Sequence, residues 1–220
     1  MRIKLCGIRQ LDQAQAIAAL GFNLLGFICV PASPRYLPPE EIRAILQALP
    51  PNLDAWGVFA GADLETLTET VTIAGVSGIQ LHGAEHPEFC RQVKARFPRL
   101  ELIKALRLRS PEDLAQLADY APWVDGFLLD AYHPQQLGGT GQTLPWEWLQ
   151  DFSPPRPWFL AGGLTPVNIA QALARLTPDG LDLSSGIERA PGDKDLEKVT
   201  ALKKALSDLR LRSEKGKKET

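Results

Sequence analysis

Short apolar runs alternate along this chain with longer stretches whose apolar positions recur at helical spacing. The first run, Arg2-Ile3-Lys4-Leu5-Cys6-Gly7, alternates Ile3 and Leu5 with Lys4 and Cys6, the period of two that marks a strand. Side chains two apart share a face, so Lys4 and Cys6 point the same way. A helix over 11–20 follows, with Gly21 just past its end. The pattern then repeats. Strands are predicted over 24–29, 56–59, 79–83, 102–106, 126–130, 158–161 and 181–184.

Between them lie helix signals with a physical basis. Pro38-Pro39 with Glu40 and Glu41 opens one helix, the carboxylates sitting near the positive end of its dipole. Asp63 is an N-cap whose helix Gly75 closes, and Pro87 suits the first turn of the next. Ser110-Pro111-Glu112-Asp113 supplies a cap, a proline and acidic first-turn residues. A glycine-rich loop, Gly138-Gly139-Thr140-Gly141, leads to a short helix over 146–149. Thr165-Pro166 caps a later helix, and the last helix is expected over 195–209.

Eight strand-then-helix units of roughly 27 residues each argue for a closed parallel (β/α)8 TIM barrel, an α/β fold, over residues 1–209. An open doubly wound sheet is the alternative, but no G-x-G-x-x-G follows the first strand. Residues 210–220 read as a charged, frayed tail. No linker divides the chain.

Composition narrows the class. Hydrophobic residues at 45% and charged residues at 23% suit a globular core, and no apolar run reaches the ~18 residues of a membrane span. A formal net charge of −2 gives no electrostatic case for nucleic acid or an anionic membrane. Three scattered cysteines (Cys6, Cys29, Cys90) fit a reducing compartment, so the expectation is a cytoplasmic protein. It is expected to act on a small molecule as a monomer or homodimer.

Chemistry concentrates at the strand ends. In such a barrel the loops after strands seven and eight commonly bind phosphate. Here they contain Gly162-Gly163 and Ser184-Ser185-Gly186, glycines that let backbone N–H groups approach an anion. A short helix after strand eight would add its dipole. Each loop alone reads equally well as a tight turn. Asp130 closes an apolar strand on the inward face it shares with Leu128, with Phe127 and Leu129 turned toward the helices. It is either a structural acceptor or a general acid/base whose pKa partial burial raises. Cys6 is either a buried structural thiol or the second proton-transfer group. Arg35, stiffened by Pro31 and Pro34, is a solvated charge or a bidentate carboxylate binder. Gln80 and His82 share a face and line the mouth, and Lys4 should pair with Asp182 inside the barrel. His82, His86 and Cys90 stand four apart, but a strand end and a helix start cannot present them together, so no metal is expected.

These segments resemble the phosphoribosylanthranilate isomerase family of tryptophan biosynthesis. The matching motifs, in order, are Lys4-Leu5-Cys6-Gly7, Gly26-Phe27, Ser33-Pro34-Arg35-Tyr36, Gly57-Val58-Phe59 and Gln80-Leu81-His82-Gly83. Leu129-Asp130-Ala131, the 138–141 glycine loop, Leu160-Ala161-Gly162-Gly163-Leu164 and Asp182-Leu183-Ser184-Ser185-Gly186-Ile187-Glu188 complete the set. The resemblance implies a cofactor-free Amadori rearrangement of N-(5-phosphoribosyl)anthranilate to 1-(2-carboxyphenylamino)-1-deoxyribulose 5-phosphate. By it, Asp130 is the general acid, Cys6 the general base, Arg35 the holder of the anthranilate carboxylate, and the two glycine loops the phosphate site. Two departures are Arg9, where the family more often has threonine, and the variant stretch 142–146. The rival readings are another phosphate-binding barrel isomerase or epimerase, and a barrel that binds a metabolite without turning it over.

Overall fold

The computed structural model describes residues 1–131 and 144–216. Eight parallel strands close into a barrel in chain order. They are β1 (Arg2–Cys6), β2 (Leu24–Ile28), β3 (Asp54–Phe59), β4 (Gly78–Leu81), β5 (Glu101–Leu108), β6 (Gly126–Ala131), β7 (Trp158–Leu160) and β8 (Gly180–Leu183). The helices outside them are α1 (Leu11–Ala19), α2 (Pro39–Gln47), α3 (Leu64–Ala74), α4 (Pro87–Arg96), α5 (Leu117–Tyr120), α6 (Ile169–Arg175) and α7 (Leu196–Gly216). The expected fold is the observed one.

The helix signals act as read. The Asp63 carboxylate accepts from the N–H of Thr66 at 2.7 Å, and Gly75 ends α3 in the left-handed region at φ 72°. Pro39 and Pro87 open α2 and α4. The differences are local. After Ser110-Pro111 the chain makes a 3-10 segment, Pro111–Gln116, before the single α-turn of α5. After β8 it makes only a 3-10 turn, Ser185–Ile187, followed by a hairpin of β9 (Glu188–Ala190) and β10 (Asp193–Lys194). The short helix expected there is absent, so no helix dipole of useful length points at that loop. The last helix runs through to Gly216, so the boundary expected at residue 209 falls inside it. The stretch Arg210-Leu211-Arg212 consists of good helix formers. The remainder of the predicted tail, 217–220, and the glycine-rich loop 138–141 lie outside the described residues.

Period-2 alternation sorts the strand residues into two cores. Leu24, Trp56, Ile103, Ala105, Leu128, Phe159 and Ala161 fill the barrel interior, with the Trp56 and Phe159 rings edge to face at 5.1 Å. Leu5, Leu25, Phe27, Phe127, Leu129 and Leu181 face the other way, into the larger core between strands and helices. The Arg2 guanidinium lies 5.0 Å from the Trp56 ring and pairs with Glu101, closing the N-terminal end of the barrel. The interior is therefore packed at the bottom and polar only at the C-terminal rim, which is where a barrel can hold a substrate.

Candidate active site

Lys4 organises the rim. It is fully buried, and register puts it opposite Asp182 on β8. Its Nζ donates to Asp182 Oδ1 at 3.2 Å, to Gln80 Oε1 at 2.8 Å and to Cys6 Sγ at 3.1 Å. The pairing expected between Lys4 and Asp182 is thus present, and two bonds that the sequence did not indicate accompany it. Burial alone would lower the Lys4 pKa, but the Asp182 charge and the Cys6 sulfur outweigh it and hold the ammonium above its ordinary range.

Cys6 ends β1, is 5% exposed, and stands opposite Gly26 in the β1–β2 register. A Cβ on Gly26 would lie 2.7 Å from the Cys6 sulfur and 2.8 Å from Lys4 Cε. Only glycine leaves room for both groups there. Burial pushes the Cys6 thiol up, and Lys4 only partly offsets it. The geometry supplies a cation that would stabilise a thiolate, but desolvation wins in the resting site.

Asp130 and His82 stand across the mouth. Asp130 is 7% exposed, and its Oδ1 accepts from the N–H of Ala131 at 2.8 Å. His82 follows β4, where its N–H donates to the Phe59 carbonyl at 2.7 Å and so continues the ladder that keeps it on the Gln80 face. Its Nδ1 contacts Gln80 Nε2 at 2.8 Å, and its Nε2 stands 3.4 Å from Asp130 Oδ2. The His82-His86-Cys90 spacing divides among three jobs. His86 caps α4 by accepting from the N–H of Phe89 at 3.2 Å, and Cys90 is buried in the helical layer. Among the described residues no group of three or more His, Cys, Asp or Glu could hold a metal ion.

A cleft runs outward from Asp130 and Asp182, between Gly162–Leu164 on one side and Ser184–Gly186 on the other. Gly162 and Gly163 both have positive φ, 85° and 60°, the left-handed backbone that glycine adopts without strain. The Asn168 amide donates to the Gly163 carbonyl at 2.9 Å while its oxygen accepts from the N–H of Thr165 at 2.8 Å. That tie occupies a carbonyl that would repel an anion. Asn168 was not foreseen, since an asparagine in a helix start reads as a cap.

Arg35 is held rather than solvated. Its Nε lies 3.1 Å and its Nη2 2.7 Å from the Glu188 carboxylate, a fork that leaves Nη1, among the described residues, for a substrate group. Glu188 also accepts from Lys194 Nζ at 2.7 Å and from the N–H of Gly192 at 3.1 Å, and Lys194 Nζ donates in turn to the Cys6 carbonyl. Burial raises the Glu188 carboxyl, but its bonds to Arg35 and Lys194 prevail and set it below its usual range. Glu188 and Lys194 were missed as site residues; Gly192-Asp193-Lys194 reads as an exposed turn. Arg9 donates to the Pro34 carbonyl at 3.3 Å, bracing the Arg35 loop from outside.

Known proteins give this geometry a context. The family model for N-(5'-phosphoribosyl)anthranilate (PRA) isomerase matches residues 3–205. The chain belongs to that family. A curated N-(5'-phosphoribosyl)anthranilate isomerase from Crocosphaera subtropica is 56% identical over 202 residues, covering 92% of this chain and 96% of the relative. The crystal structure of the phosphoribosyl anthranilate isomerase from Thermus thermophilus superposes with a TM-score of 0.83 at 37% identity, covering 95% of this chain and all of that one. A family structure in complex with reduced 1-(o-carboxyphenylamino)-1-deoxyribulose 5-phosphate superposes with a TM-score of 0.81 at 30% identity, covering 94% and 99%.

Proposed function

We propose that this phosphoribosylanthranilate isomerase family member carries out the Amadori rearrangement with Asp130 as acid and Cys6 as base. The observation that supports this most directly is the rim itself. Asp130, beside His82, and Asp182 line one cleft that continues to two glycine loops, and the buried ammonium that pairs with Asp182 also bonds the Cys6 thiol. The substrate phosphate binds the backbone of Gly162–Gly163 and Ser184–Gly186, and Arg35, fixed by Glu188, takes the anthranilate carboxylate through its remaining edge.

The proton movements then follow. Asp130 protonates the furanose ring oxygen as the anilino nitrogen pushes its lone pair toward C1, so the C1–O bond breaks and an iminium forms. Cys6 takes the proton from C2. The C–H electrons become the C1–C2 double bond, and the C=N electrons return to nitrogen. The resulting enolamine becomes the ketose when its C=C electrons take up a proton at C1 and the C2 hydroxyl loses its own, its O–H electrons forming the C2=O bond. The iminium charge lowers the cost of forming the thiolate, which burial alone makes high. The same reading places the protein in the cytoplasm, because a reducing compartment keeps a catalytic thiol free.

The test is a fluorescence assay with freshly generated phosphoribosylanthranilate, with and without chelator, beside Asp130→Asn and Cys6→Ser. The expected result is rapid, chelator-insensitive conversion by the parent protein and a loss of about 100-fold or more in each variant. Near-normal turnover in either variant removes that residue from the mechanism.

A further inference from the structure

Gln80 and His82 form a bridge between the two proton-transfer groups. From Cys6 Sγ the contacts run to Lys4 Nζ at 3.1 Å, to Gln80 Oε1 at 2.8 Å, from Gln80 Nε2 to His82 Nδ1 at 2.8 Å, and from His82 Nε2 to Asp130 Oδ2 at 3.4 Å. Lys4 is 0% exposed and Gln80 1%, so water does not supply alternative partners at that end of the row.

The hydrogen positions follow from the chemistry of one end. An ammonium only donates, so the Gln80 atom facing Lys4 must be the carbonyl oxygen. Lys4 has three protons, and Cys6, Gln80 and Asp182 take one each, so the ammonium cannot turn elsewhere. The Gln80 amide N–H therefore faces His82, and His82 Nδ1 must accept it. A neutral imidazole has one proton, which then sits on Nε2, aimed at Asp130. The other tautomer, or an imidazolium, would set two N–H groups against each other at 2.8 Å in a buried site. The charged groups around His82 are Asp130 from β6 and, behind Gln80, Lys4 from β1 with Asp182 from β8. Asp130 presents only a carboxylate to Nε2, so it is the Nδ1 contact that decides the tautomer.

We infer that Gln80 is a positioning residue that holds His82 as the neutral Nε2–H tautomer, a donor reserved for the Asp130 carboxylate. The role rests on Asp130 being the acid. Among the described residues, Nε2 is buried and makes no hydrogen bond, and Asp130 Oδ2 at 3.4 Å is the carboxylate oxygen beside it. When Asp130 gives up its proton, that donor receives the anion left behind. A neutral donor suits this step better than an imidazolium, which would hold Asp130 ionised before it could act.

Nitrogen NMR of imidazole-labelled full-length protein, with His82 assigned from a His82→Asn spectrum, tests this directly. The parent protein should show a pyridine-like Nδ1 and a pyrrole-like Nε2 at neutral pH. Gln80→Glu presents an acceptor to Nδ1, so that nitrogen should become pyrrole-like while kcat falls about tenfold or more and KM stays within about threefold. Gln80→Met, which keeps the volume without either bond, should give mixed tautomers and an intermediate kcat. A pyridine-like Nε2 in the parent protein, with Asp130→Asn inactive, overturns the inference alone. Parent-like nitrogen signals and kcat in a folded Gln80→Glu also overturn it. Retained turnover in Asp130→Asn overturns the acid assignment on which the role stands.

Discussion

Replacing Lys4 by methionine separates what this buried ammonium does for the fold from what it does for the chemistry. Its bond to Cys6 Sγ at 3.1 Å is charge-assisted, and such bonds contribute about 1.5–3 kcal/mol. Losing it raises the thiol pKa further, and at about 1.4 kcal/mol per tenfold the thiolate population falls in proportion to the lost bond. Burial already holds that thiol above its ordinary value, so at neutral pH the thiolate is the minor form and each further unit removes it tenfold. The expected fall in kcat/KM at pH 7 is therefore about 10–100-fold. Because the loss lies in the thiolate fraction, the rising limb of the pH–rate profile should move to higher pH.

Stability responds separately. Lys4→Met leaves Asp182 nearly buried without its cation, a change that costs about 3–5 kcal/mol. Adding Asp182→Asn removes the orphaned charge and should recover part of that loss, read as the urea midpoint. Because the Asp182 charge itself raises the thiol pKa, its removal should also bring the rate limb part of the way back. The assay is the fluorescence progress curve from about pH 6 to 10 on both variants, with the midpoint measured on the same samples. A folded Lys4→Met protein with the parent pH profile would refute the argument that Lys4 tunes the base.

Other perturbations probe the same rim. Gly26→Ala puts a Cβ 2.7 Å from the Cys6 sulfur, so the thiol must move; kcat should fall severely for a stability cost of about 1–3 kcal/mol, read by kinetics and urea unfolding. Gly186→Ala brings a Cβ to 2.0 Å from the Leu164 carbonyl oxygen, backbone against backbone, so the two glycine loops must part. It should raise KM for the phosphorylated substrate more than it lowers kcat, and an unchanged KM would exclude that pair of loops as the phosphate site. Burial pushes the Cys90 thiol up to about 11, whereas in the unfolded chain it ionises near 9. Between those values the unfolded state binds fewer protons, so stability should decline as pH rises from 9 to 11, and the decline should be shallower in Cys90→Ala, compared by urea midpoints.

The barrel was legible because each of its elements is written locally. Alternation separates Leu128 and Asp130 from Phe127 and Leu129 without any knowledge of the neighbouring strands, and Asp63 with Gly75 brackets a helix by cap chemistry alone. The Lys4–Asp182 pair was legible for the same reason, since β1 and β8 must be neighbours once a barrel closes. What was not legible depends on side chains meeting across the mouth. Nothing near residue 194 signals that the β9–β10 hairpin folds a lysine under the Cys6 carbonyl. Lys104, by contrast, stands inside the apolar run Leu102-Ile103-Lys104-Ala105-Leu106, and a charge there is a signal for a buried, paired cation.

Three buried lysines, Lys4, Lys104 and Lys194, share one design. Each faces a carboxylate (Asp182, Glu85 and Glu188), and each also donates to a group that shapes the rim: the Cys6 thiol, the Gly83 carbonyl, or the Cys6 carbonyl. Desolvation lowers the pKa of Lys104 and Lys194, and their carboxylates only partly restore it, so these pairs are poor devices for stability as such. Apolar side chains would fill the space at less cost. An apolar filler, however, has no directional bond with which to fix where a loop carbonyl or a thiol points. Lys104 pins the loop after β4 through Gly83 and Glu85, the loop that carries His82, while Lys194 and Lys4 hold Cys6 from its backbone and its sulfur. The ammonium groups that are least economical for the fold are thus the ones that fix the acid and base sides of one mouth relative to each other. Lys4 differs from the other two in bonding a thiol as well as a carboxylate, and of the three it alone stays above its ordinary pKa, as a cation required to stabilise a thiolate must.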